Sequence, residues 1–411
     1  MPTRPEVFVS DRAIGPDNTW LQFHHGERAD WTLHPTNQGP PAVITSNRLR
    51  NTSSGTVTYY ATNVPAIADY DVEADFNIQS IIGGGHPSAA RLLGRLSPTA
   101  FTCYYLNFDG NNAALNVQLW KSVAGSLTSL GSATITATAG QTKRFRLSMR
   151  GSLLTCYVDD VVLIQLIDTT ITAAGYAGLQ LAENTTSTTG THVTNFWASV
   201  PVSDDRFVDS DGTLLTTHTM NYGGPWISES GGLFQIDNNR ARTQNTGNIG
   251  YAAVPTNVPS AADYEICAWL YVASNAGIWR LQGRNNLGNG DCYRVNYDGT
   301  NFQLFRQVSS VNTNLSGNIA TSLTVGVTYY MRLSMRGTSI RMEKSGVVLF
   351  SATDSSVTAV GTQLIERDEA SLSTTGYQFA GFSVAQPGAA GDQAPIAGTP
   401  VNGGPYMLRM F

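Results

Sequence analysis

A chain of 411 residues suits two ordinary domains, and 41% hydrophobic content is enough to give each a core. Charged residues make up only 13%, the formal net charge is −5 and neither half is basic, which argues against nucleic acid as a partner. No apolar run approaches membrane-spanning length, and Met1-Pro2-Thr3-Arg4-Pro5-Glu6 lacks the basic and apolar regions of a secretory signal, so the expected product is soluble, cytoplasmically made and not inserted in a membrane.

Taken in chain order, Val7-Phe8-Val9 reads as a first short strand, answered in the second half by Phe207-Val208-Asp209-Ser210-Asp211-Gly212. His24 and Trp31 then precede turn-rich sequence, as His218 and Trp226 do later. Residues 62–70 return almost literally as 256–264, and each copy leads into a strand, 71–79 and 265–272. Gly94-Arg95 matches Gly283-Arg284, and Cys103-Tyr104-Tyr105-Leu106-Asn107-Phe108-Asp109-Gly110 matches Cys292-Tyr293-Arg294-Val295-Asn296-Tyr297-Asp298-Gly299. Asp-Gly between alternating segments marks a hairpin in both copies. The most regular stretch is 143–151, which returns as 329–337. Phe145, Leu147 and Met149, then Met331, Leu333 and Met335, fall at every second position, the period of a strand with one face buried.

The chain is therefore one module written twice, at 1–201 and 202–386. A Gly-, Pro- and Ala-rich arm follows at 387–411, whose apolar end 405–411 suits docking, with a frayed tail as the commoner alternative. Short strands, Gly- and Asp-rich turns and no convincing amphipathic helix predict all-β sandwiches. Cys103 and Cys292 are equivalent, whereas Cys156 and Cys267 have no counterpart. A disulfide framework would have duplicated, so four buried or half-buried thiols are expected.

The order of these motifs resembles the concanavalin A-like, laminin-G-like jelly-roll superfamily. They run from the opening strand and its Trp, through "DY", "GR", "CY…N-(F/Y)-DG" and "RLSMRG", to the closing aromatic strands around Phe196 and Phe382. The resemblance covers about nine-tenths of the chain as two tandem jelly rolls and implies fold more than function. Lectin-like tandem modules of this composition resemble phage structural proteins. The expected function is thus a non-enzymatic virion component of head or tail, partnered by capsid or tail subunits or further copies of itself, whose lectin-like domains bind polysaccharide. Two rivals are a purely structural clamp and a glycoside hydrolase or lyase of the same superfamily.

The side chains weigh these readings. Asp71, Glu73 and Asp75 share one strand face but do not follow the order of the superfamily's glucanases. Glu265, Cys267 and Trp269 replace them in the second copy, so a solvated face is expected. His24 and His218 read as satisfied loop histidines, and no zinc spacing occurs. Gly83-Gly84-Gly85-His86-Pro87 lacks the rest of a phosphate loop. Asp109, Asn111, Asp298 and Asn301 offer oxygens for calcium, the only cofactor suggested, though Asp-Gly is also what a tight turn needs. Arginines form the main constellation. Arg91, Arg95 and Arg146 recur as Arg280, Arg284 and Arg332, and with Tyr105, Asn107, Arg294 and Asn296 they are expected to stud one sheet surface suited to glycans. Trp20, Trp120, Trp197 and Trp279, each present in one copy only, are candidates for a sugar-stacking platform or for core.

Overall fold

The computed structural model describes residues 7–26, 28–53, 55–65, 67–79, 89–109, 115–159, 161–183, 190–230, 234–244, 247–345, 347–369 and 376–385. The proposed arm at 387–411, the Gly83–Pro87 loop and Asn111 lie outside them. Apart from a three-residue 3-10 turn at Leu21–Phe23, the regular elements of the described residues are strands.

Strands up to Ser199 form one sandwich and those from Ser203 to Ala385 form another, each an antiparallel jelly roll of two sheets. In the first domain the back sheet runs Val161–Ile167, Leu153–Val158, Thr142–Arg150, Tyr70–Ile78, Thr191–Ser199, Leu49–Asn51, Ala42–Ile44, with Val7–Asp11 also on Thr191–Ser199. The front sheet runs Ser126–Ile135, Leu115–Val123, Cys103–Asp109, Ala89–Leu96, Tyr176–Glu183, Gly55–Ala61, Trp31–Gln38. The second domain repeats both orders, with Thr328–Arg336 and Tyr264–Val272 central in its back sheet and Ile278–Asn285 and Cys292–Tyr297 central in its front sheet.

Alternation works as the sequence requires. Phe145, Leu147 and Met149 point inward and are fully buried against Val72, Phe76, Leu106 and Phe108, and Met331, Leu333 and Met335 do the same in the second core. All four cysteines are free and buried. The opening strand of the second copy is Ser203–Asp205, not the segment at 207–212. Phe207 instead matches Ala13, both with a left-handed backbone (φ 53° and 56°) two residues after a buried Asp.

The outward faces of the two back sheets pack against each other. Arg146 forks onto Glu265, Nη1 to Oε1 at 2.6 Å and Nη2 to Oε2 at 3.1 Å. Its guanidinium lies 3.9 Å from the Tyr157 ring centroid, and that of Arg332 lies 4.7 Å from the same ring. Arg150 Nε donates to Ser383 Oγ at 3.2 Å, and Arg206 ties Asp69 of the first domain to Asp204 of the second at 3.0 and 3.3 Å.

Two expectations need correction here. Asp71, Glu73 and Asp75 do not form a solvated face. They are buried, where they neutralise Arg144 and Arg150, and Asp71 flanks Arg146 at the second domain. Arg146 and Arg332 are not on an exposed surface either, because the back sheet's outer face is the domain interface; they are 1% and 0% exposed.

Candidate functional site

The front sheet of each sandwich is the one not at the domain interface, and on its outer face the first domain builds a line of polar side chains in strict register. Thr58, Gln180, Arg91, Asn107 and Gln118 stand opposite one another on five adjacent strands. Period-two alternation puts each on the same face, and the register turns them into a hydrogen-bonded chain. Gln180 Nε2 donates to Thr58 Oγ1 at 2.6 Å, and Arg91 Nη1 donates to Gln180 Oε1. Arg91 Nε donates to Asn107 Oδ1 at 2.7 Å, and Asn107 Nδ2 to Gln118 Oε1 at 2.9 Å.

The neighbouring line is apolar. Leu93, Tyr105 and Trp120 face outward two residues along, and with Leu96, Cys103, Tyr60, Phe101 and Tyr176 they make a cluster separate from the main core. Tyr105 and Trp120 are parallel (4° between planes, centroids 6.4 Å apart), and Trp120 Nε1 donates to Gln118 Oε1 at 3.2 Å. Arg91 sits 5.5 Å from the Tyr105 centroid. A cleft of about 580 Å³ opens over one end of the two lines, beside Trp120. Its floor includes Arg91, Tyr105 and Gln180, and its walls come from Thr36, the Thr99–Phe101 loop and the turn at Ala124 and Gly125.

Electrostatics follow from this enclosure. Burial pushes the Arg91 guanidinium below its ordinary range, partly offset by Tyr105 and Asp109. Burial likewise raises the Tyr105 phenol, against the pull of Arg91. Arg91 thus remains a cation, because guanidinium pKa values start so high. Its Nη2 has no hydrogen-bond partner among the described residues, which leaves that nitrogen's two N–H groups for a ligand in the cleft.

Of the sequence-predicted residues, Arg91, Tyr105 and Asn107 come together here, and Arg280, Arg294 and Asn296 come together on the second domain's front sheet. Arg95 and Arg284 do not join them. Both have left-handed backbones (φ 52° and 49°), which end the alternation and turn the side chains into the structure, where they are 3% and 2% exposed. The reading that placed Arg146 and Arg332 on the same surface fails because their strands belong to the opposite sheet of each sandwich. Trp120 stacks on Tyr105 on this outward face and Trp20 on Phe23 at 5.9 Å, whereas Trp279 is core. Gln180, Gln118 and Thr58 went unnoticed in the sequence. Gln180 is Glu366 in the second copy, so the repeat gave no matching pair to flag it.

Of the calcium candidates, Asn111 lies outside the described residues, and Asp298 is engaged within its own turn. Asp298 Oδ1 accepts the backbone N–H groups of Thr300 and Asn301 at 2.9 and 2.7 Å, the work of a turn residue before Gly299 with its φ of 92°. Among the described residues no group of three His, Cys, Asp or Glu stands close enough to hold a metal.

No protein-family model matches the chain, and no curated protein matches it in sequence. Solved structures do. The carbohydrate-binding module CBM66 from Bacillus subtilis aligns at 18% identity and TM-score 0.34, covering 41% of this chain and 94% of its own. The potassium-bound carbohydrate recognition domain of Emp46p aligns at 11% and 0.33, over 44% of this chain and 95% of its own. A legume lectin-like domain from Entamoeba histolytica aligns at 9% and 0.32, over 41% and 89%.

Proposed function

We propose that this chain is a non-catalytic carbohydrate-binding protein and that the first domain holds a saccharide in its front-sheet cleft. The observation that carries this is the pairing of a planar polar line, Gln180-Arg91-Asn107-Gln118, with a parallel aromatic line, Tyr105-Trp120. A sugar ring presents hydroxyls at its rim and C–H groups on its face. Amides and a guanidinium match the first, and aromatic rings match the second. The cleft is a shallow groove on a sheet, so a single site would be weak and affinity would come from displaying many copies.

The wider role we propose is that of a phage virion component presenting these domains to host or environmental polysaccharide, with capsid or tail subunits and further copies of itself as partners. That part rests on the resemblance of the tandem modules and their neutral, Thr-, Asn- and Gly-rich composition. Finding the chain in purified particles supports it; a chain confined to the unassembled fraction rejects it.

The test of the site is a glycan array probed with multivalently displayed protein. Trp120→Ala and Arg91→Ala are each expected to weaken the bound glycan about tenfold or more, the worth of ~1.4 kcal/mol, in variants whose circular dichroism stays native-like. Binding to no glycan at high display density, or binding indifferent to both substitutions, rejects the assignment.

A further inference from the structure

We infer that the second domain's front sheet is a separate site for a carboxylated saccharide, a uronate or related sugar acid, with Arg294 as the group that grips the carboxylate. This rests on reading the first domain's cleft as a saccharide site. The two front faces share one register but not one chemistry. Glu366, Arg280, Asn296 and Gln303 repeat the polar line, and Gln282, Arg294 and Phe305 take the places of Leu93, Tyr105 and Trp120. Where the first domain has an aromatic pair, the second has a guanidinium lying 5.6 Å from the Phe305 centroid.

Arg280 is already neutralised, since it and Gln282 both donate to Glu366. Arg294 is not. It makes no ion pair with any described residue; it reaches only two amide oxygens, Gln307 Oε1 at 3.4 Å and Asn312 Oδ1 at 3.3 Å, and its buried Nε has no partner. Burial, and after it the like charge of Arg280, press its guanidinium below the ordinary range. Two long bonds to neutral amides are a poor substitute for a carboxylate, which offers a guanidinium two short, charge-assisted bonds in one plane. A sugar acid seated on Phe305 with its carboxylate at Arg294 would exchange those weak contacts for strong ones, and Gln303, whose Nε2 is spent on Asn318, keeps its Oε1 for a ring hydroxyl. The chain's net charge of −5 gives no general attraction for polyanions, so discrimination must come from this local group.

The experiment uses the full chain and paired probes: oligogalacturonate, oligomannuronate, hyaluronan fragments and sialyllactose, each beside its carboxyl-reduced form. At least one acid is expected to bind about tenfold more tightly than its reduced form. Arg294→Tyr, which installs the first domain's residue, should remove that preference, and Arg294→Lys should keep only part of it. Trp120→Ala should leave it intact. If neutral glycans bind through Trp120 and no acid is preferred, the inference fails while the first site stands. A preference that survives Arg294→Tyr, or that is lost instead with Arg91→Gln, also overturns it. If no glycan binds at all, both readings fall.

Discussion

A buried aspartate at the end of each opening strand joins the two sheets of its sandwich. Asp11 Oδ1 accepts from the backbone N–H of Ala13 at 2.6 Å and lies 3.0 Å from His24 Nε2, and its Oδ2 accepts from Trp31 Nε1 at 2.6 Å. Asp205 repeats this with Phe207, His218 and Trp226 at 2.8, 3.0 and 2.6 Å. In the second copy His218 Nδ1 also meets Asp209 at 3.0 Å, so both ring nitrogens face carboxylates. Burial works against a charge on His218, but the bonds to Asp205 and Asp209 outweigh it and raise the pKa above the usual 6.5. The stabilisation is therefore complete below about pH 6.5 and is lost as pH rises through the raised value. Asp205→Asn should cost about 3 kcal/mol, because it removes one member of a buried charged set, and it should flatten the pH dependence above 6.5. Melting curves from pH 5 to 9 decide it; an unchanged slope in the variant rejects the coupling.

At the scale of elements, the conserved geometry of Gly94-Arg95 and Gly283-Arg284 shows where alternation stops being a guide. Arg284 Nε, Nη1 and Nη2 donate to the carbonyls of Ala262, Val357 and Gly337 at 2.8, 2.9 and 2.9 Å, and its own N–H meets the Tyr264 hydroxyl. Arg95 does the same with Ala68, Ile171 and Gly151. Each arginine thus ties the end of a front strand to the turn after a back strand. Gly361 and Gly175 let the chain pass: a Cβ there would lie 2.4 and 2.5 Å from the arginine's carbonyl carbon. Arg284→Ala should destabilise the second domain by about 3–5 kcal/mol, since one buried and two part-buried carbonyls lose a charged donor, and Arg284→Lys should rescue little because an ammonium cannot span all three. Chemical denaturation measures this, and near-native stability of either variant contradicts it. Reading Arg95 as a continuation of the Arg91 face was natural from a period of two. The left-handed residue that breaks the period is a backbone property that many sequences can mask, and the preceding Gly was its only written sign.

For the whole molecule, duplication was plain in the sequence, and so was the inward half of each strand, because burial of apolar residues leaves a strict pattern. Which outward faces meet water was not plain. Charged residues on a strand can be satisfied by solvent or by a second domain, and the pattern is the same. The sign that was available was Cys267 and Trp269 standing in the second copy at the outward positions that Glu73 and Asp75 hold in the first, a mixture expected of a covered face. The front-sheet cleft was half legible: Arg91, Tyr105 and Asn107 follow from alternation, but Gln180 joins them only through a strand distant in sequence.

The covered face yields the last prediction. Glu265 sits between Arg146 and Arg332, and although burial alone would raise its pKa, those two charges bring it down to about 2. Its contribution is in place above the ordinary carboxyl value of 4.5 and disappears as pH falls toward 2. Asp204 behaves oppositely: burial lifts it to about 6 despite Arg206, so its charge opposes the folded state above that pH and ceases to do so as it protonates. Docking of the two domains should therefore be strongest near pH 4, between the ordinary values of the two carboxyls, where their opposing pH slopes cancel. Glu265→Gln leaves two buried guanidinium groups short of a counter-charge, an expected loss of about 3–5 kcal/mol concentrated at the interface. Calorimetry should show the single transition of the parent chain resolve into two in this variant, with Asp204→Asn removing the gain in stability below pH 6. One transition at an unchanged temperature in Glu265→Gln would mean that the domains are held by their apolar and aromatic contacts, with the ion network contributing nothing to their union.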